Sequence, residues 1–79
     1  MSPRAEFDGT DWLIHHGGNV TVADALDAQA FDAIDAGEEP DMAALVSLKR
    51  RMPELRFVDK RGRDTGLLFP EVAGLNPRR

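Results

Sequence analysis

Asp11 and His15 stand four residues apart with His16 alongside, and they come closest in this chain to a chemical constellation. On a helix that spacing would set a carboxylate and an imidazole on one face, the start of a zinc site or a proton-transfer pair. The chain has two histidines and no cysteine, so a third ligand would have to be a distant carboxylate, and thiolate zinc sites and thiol nucleophiles are excluded. Asp8-Gly9-Thr10-Asp11 is too short for a calcium loop and lacks the bidentate acid that closes one. Ser2 and Ser47 have no His/Asp partners at a useful spacing. Gly17-Gly18 reads as a terminator, because no lysine-bearing phosphate fingerprint follows it. The expectation is no catalytic residue, no metal and no cofactor.

What remains is charge. Residues 1–48 carry one base (Arg4) against ten acids, and residues 49–79 carry nine bases against four acids. Asp24, Asp27, Asp32 and Asp35 form one negative face of an alanine-rich segment that offers no basic residue to offset them. Such a face, with Phe31 at its border, calls for a cationic partner: Arg50, Arg51 or the hairpin of the same chain, or a second molecule carrying a basic patch. Lys60, Arg61 and Arg63, backed by Arg50 and Arg51, form a candidate basic tip able to neutralise phosphates.

The elements that must position these residues follow from pattern. Residues 1–10 lack periodicity and read as a flexible arm, residues 11–70 as one small globular domain, and residues 71–79 as a tail that Val72 and Leu75 could tack down. The stretch 11–16 suits a short helix or a short strand, with Trp12, Leu13 and Ile14 in the core. Thr21 with Asp24 resembles a capping box and predicts a helix over 22–36, closed by Gly37, with Val22, Leu26, Ala30, Ala33 and Ile34 on its buried stripe. Pro40 suits the first turn of a second helix, whose buried side is Met42, Leu45, Val46, Leu48 and Met52, and Pro53 ends it. LRFVD and TGLLF then flank KRGRD as a hairpin turning at Gly62. Leu55, Phe57, Leu67 and Phe69 would face inward, with Val58 and Leu68 opposite. The stretch 41–69 holds eleven of the large apolar side chains and seven of the ten bases, so the rest of the chain is organised around it.

The fold class expected is α+β, two or three helices packed on a C-terminal β-hairpin, with a small three-stranded sheet if NVTV joins it. The element order of residues 11–69 resembles that of a winged helix. That resemblance implies nucleic-acid binding through the second helix and the basic hairpin tip. It departs at Glu38-Glu39-Pro40-Asp41-Met42, where the would-be recognition helix opens on acids that repel phosphate.

A chain this short leaves little room for a deep pocket, and it has no apolar run long enough to span a bilayer. Its N-terminal MSPRAEFDGTD lacks the apolar core of an export signal, so a cytoplasmic or virion-associated location is expected. The leading expectation is a small non-enzymatic protein-interaction module: an accessory protein, phage-type inhibitor, adaptor or virion component. The competing one is a nucleic-acid-binding regulator. A homodimer completing its core through Phe31, Val58 and Leu68 is compatible with either.

Overall fold

Two short turns fold the first part of the chain into a meander. Asp8 accepts hydrogen bonds from the backbone N–H groups of Thr10 and Asp11 (2.8 and 2.7 Å), which closes the turn between β1 (Arg4–Phe7) and β2 (Trp12–His16). Gly17 and Gly18 both take positive φ (60° and 86°), as a two-residue primed hairpin turn requires, and lead into β3 (Asn19–Val22). The chain then forms α1 (Ala25–Ala36), α2 (Met42–Arg51), β4 (Arg56–Val58) and β5 (Asp64–Leu67). The computed structural model describes residues 2–70.

The five strands make one mixed sheet in the order β3-β2-β1-β4-β5, in which β1 pairs antiparallel with β2 and parallel with β4. The expected flexible arm over residues 1–10 is therefore corrected: residues 4–7 are the central strand, and Ala5 is fully buried. The expected winged-helix order is corrected as well. Two strands stand ahead of NVTV, and among the described residues the C-terminal hairpin is one flank of a five-stranded sheet and not part of a three-stranded one; the two helices described fall within the two or three expected. The tail over 71–79 lies outside the described residues.

Residues directly opposed across a ladder share a sheet face. Ala5 opposes Ile14 and Phe57, and Phe7 opposes Trp12; these point toward the helices. Arg4, Glu6, Leu13, His15, Val20, Val22, Arg56 and Leu67 share the other face. Trp12 is the hub of the core, with ring centroids 5.1 Å from Phe7, 5.4 Å from Phe31 and 5.2 Å from Phe57. Leu48, Met52, Leu55 and Phe69 complete it.

Both helices are rotated from the faces their apolar spacing predicts. In α1 the inward row is Asp27, Ala30, Phe31 and Ile34; Phe31 is 0% exposed, whereas Leu26 and Val22 face water. Phe31 is thus a core residue and not a border one. The helix begins at Ala25 because Asp24 is its N-cap, accepting from the Asp27 N–H at 2.8 Å, while Thr21 and Val22 belong to β3. Gly37 closes it in the left-handed conformation, as expected. In α2, Ala44 and Leu48 are buried, and Met42 and Val46 are 68% and 51% exposed. The buried positions include the small side chains Ala30 and Ala44, while larger neighbours Leu26, Met42 and Val46 are exposed. Asp41 is the N-cap, so Pro40 precedes the helix; Arg51 ends it ahead of Pro53.

The second hairpin carries one more correction. A register irregularity between Arg56 and Val58 sets Leu67 opposite Arg56 on the outer face, and Leu68 and Phe69 pack against the core. The extra residue on β5 turns Leu67 outward and lets Leu68 pack inward, while Phe69, past the end of the strand, is buried as expected. Val58 is buried too, so a dimer completing its core through Phe31, Val58 and Leu68 has no exposed aromatic or valine at those positions to use.

Candidate protein-binding surface

The two oppositely charged surfaces expected from the sequence meet each other inside the molecule. Arg51 donates from Nη2 to both carboxylate oxygens of Asp27, at 3.2 and 3.0 Å. Lys60 places its ammonium 3.1 Å from Asp32, while its backbone N–H donates to Asp35 at 2.9 Å. The same ammonium lies 4.8 Å from the centre of the Phe7 ring. Asp24 is occupied as the N-cap. The acidic face of α1 therefore receives the hairpin turn, and each of its four carboxylates has an intramolecular role.

The basic tip is committed to a similar degree. Asp59 accepts from the backbone N–H groups of Arg61 and Arg63 (3.0 and 2.9 Å) and meets the Arg63 Nε at 3.4 Å. These N–H groups, Arg63 foremost, hold the Asp59 carboxyl below its usual range. Asp32 is lowered by the Trp12 indole N–H at 2.9 Å and then by Lys60. Asp64 is lowered by Arg56, which grips it at 3.1 and 3.2 Å, and then by the Gly66 N–H. Of the candidate basic residues, Arg50 and Arg61 keep guanidinium groups without an ion pair among the described residues.

The Asp11–His15 spacing does not form a site. His15 lies in a strand that begins just after Asp11, and four residues of extended chain separate the two by about 13 Å. His15 and His16 point to opposite faces of the sheet. His15 Nε2 stands 3.2 Å from Glu6 Oε1 without the alignment of a hydrogen bond, and the nitrogen is shielded from solvent. Asp8-Gly9-Thr10-Asp11 is a turn whose carboxylate is spent on backbone N–H groups, the Asp11 N–H chief among those lowering the Asp8 carboxyl. Among the described residues no group of three or more metal-ligating side chains forms.

The surface that sequence reasoning missed is the outer edge of β3. All four of its residues are exposed, with Val20 at 54% and Val22 at 62%. The Ala23 N–H donates to the Trp12 carbonyl at 2.9 Å, toward β2. Backbone direction alternates along a strand, so the N–H and C=O groups of Val20 and Val22 point away from the sheet. The edge has no charge, proline or bulge to block pairing. The opposite edge differs: β5 has a register irregularity, a glycine and the Arg56–Asp64 pair. Val20 and Val22 also share the helix-free face with Leu13, so the β3 edge has an apolar flank. The signal was present in NVTV, whose β-branched residues carry no charge.

Fold and surface together define a small α+β domain: a five-stranded mixed sheet with two helices packed on one face and one unblocked edge. No protein-family model matches the chain, and neither a curated protein nor a solved structure does. Among the described residues no helix is long and apolar enough to cross a membrane.

Proposed function

We propose that this chain is a non-catalytic protein-interaction module that takes an extended segment of another protein onto the outer edge of β3. The observation that carries the reading is the pair of outward-facing backbone groups at Val20 and Val22, set beside an exposed valine pair. Strand addition uses such an edge for affinity through main-chain hydrogen bonds, and reads alternate side chains of the incoming segment against the sheet face. Here that face offers Leu13, Val20 and Val22, which favours a segment with β-branched or other apolar residues at alternate positions. Charge plays a smaller part than the sequence implies, because the aspartates of α1 are engaged by Arg51 and Lys60. An inhibitor, an adaptor or a virion component would use this edge in the same way.

The test is photo-crosslinking from position 21 in host lysate, comparing the natural chain with Val20→Pro and Val22→Lys. Proline at 20 removes an outward N–H and no ladder hydrogen bond, so the fold is retained while pairing is blocked. A crosslinked partner lost in both variants, with unchanged unfolding curves, supports strand addition. A partner captured equally by all three chains overturns it.

A further inference from the structure

We infer that the outer face of α2 is a two-fold interface on which a second copy of this chain docks, its α2 running antiparallel to the first. This face is independent of the β3 edge. Met42 and Val46 are the two large apolar residues of α2 that lie mostly in water. With Leu45, Lys49 and Phe69 they line a shallow hollow of about 170 Å³. Met42, Leu45, Val46 and Lys49 follow the i, i+3, i+4, i+7 spacing of a single helix stripe. That stripe is about 10 Å long, enough for one helix crossing.

Charge decides the occupant. The entry to α2 carries Glu38, Glu39 and the N-cap Asp41; the exit carries Lys49 and Arg50 on this side, Arg51 being turned toward Asp27. The side chains of Glu38, Glu39 and Arg50 make no ion pair or hydrogen bond among the described residues. A second copy related by a two-fold axis through the Leu45–Val46 region lays the acidic end of each helix over the basic end of the other, and opposes the helix dipoles. A parallel arrangement would set like charges together. The interface is isologous, and so needs no second surface on the molecule. One helix face lies at the low end of specific interface sizes, so the dimer is weak and forms in the micromolar range or above.

The experiment is sedimentation velocity of the full chain at low salt, from about 5 to about 500 µM, a span that brackets such affinities. A concentration-dependent shift from monomer to dimer is expected. Val46→Glu should weaken it at least tenfold, and Val20→Pro should leave it unchanged. Arg50→Glu should weaken it as well, and combining Arg50→Glu with Glu38→Lys and Glu39→Lys should restore it, because both ends are then reversed. The chain has no cysteine, so Val46→Cys adds a second readout: mild oxidation should give a disulfide-linked dimer, and Glu54→Cys should not. A monomer at every concentration overturns the inference and leaves the groove to another occupant, such as a basic amphipathic helix. A dimer that survives Val46→Glu, or is lost with Val20→Pro, overturns it too, the latter by assigning the contact to the β3 edge.

Discussion

Arg51 spans the gap between the two helices and holds both oxygens of Asp27 with one nitrogen, at 3.2 and 3.0 Å. Asp27 is the charged residue buried among the described residues, at 3% exposure. The other end of the guanidinium is fixed by Ser47, whose carbonyl and hydroxyl accept from Arg51 Nε at 3.2 and 3.1 Å. The pair replaces the apolar contact that a helix face would normally make there, and it sets which side of α1 turns inward.

Removing one partner should therefore cost more than removing both. Arg51→Ala leaves a carboxylate without its counterion, a loss of about 2–3 kcal/mol once the half-exposed arginine is discounted for screening. Asp27→Leu with Arg51→Met should recover most of it. Urea unfolding followed by Trp12 fluorescence measures both, and equal losses in the two chains would show that the pair does not position α1.

Exposure along α1 separates two substitutions that apolar spacing alone would rank alike. Phe31→Ala should cost about 3–5 kcal/mol, a large share of the stability of a domain this size. Leu26→Ala should stay within about 0.5 kcal/mol. Thermal melts by circular dichroism decide it, and the reverse ranking would restore the stripe through Leu26.

Removal of residues 1–8 should abolish cooperative unfolding, because β1 separates β2 from β4 and seats Ala5 against Ile14 and Phe57. A well-dispersed proton–nitrogen spectrum from the shortened chain would contradict the central-strand assignment.

Acid stability has a definite sign. Asp8, Asp32, Asp59 and Asp64 all have folded pKa values below their ordinary one. Each contributes stability that is present above the unfolded carboxyl pKa, roughly 3.9, and is lost as pH falls through the lower folded value. Stability from these groups should hold through neutral pH and decline below about pH 4. Asp32→Asn should be less stable than the natural chain at pH 7, and the difference should close toward acid as Asp32 protonates. A gap of constant size down to acid would show that the Asp32 charge contributes nothing.

The sequence made some of this legible. The caps at Gly37 and Pro53, the turn at Gly62 and the core role of Trp12, Leu48 and Phe57 follow from local chemistry, and the structure places them as expected. The first strand escaped because the alternation in RAEF spans only four residues, too short a run to stand out, and its parallel partner lies about fifty residues further on; the Asp8-Gly9 pair ahead of Trp12 was the available signal for a hairpin. The faces of α1 and α2 escaped for a different reason. Hydrophobic spacing cannot register that a buried aspartate is matched by an arginine from the next helix, or that alanines are buried where larger side chains are not. The charge segregation is legible along the chain, and of the two uses it suggests the structure shows the internal one: Arg51 from α2 and Lys60 from the hairpin turn meet the aspartates of α1.

The pairing of β1 with β4 also constrains how the protein is made. As the chain leaves the ribosome, Ala5 emerges early, but Phe57 follows only after both helices. At roughly 5–20 residues per second, that interval is roughly 3–10 s. During it the first hairpin has one flank open, and it is held mainly by β2. Chain fragments released before Phe57 should be the species that cellular proteases recognise.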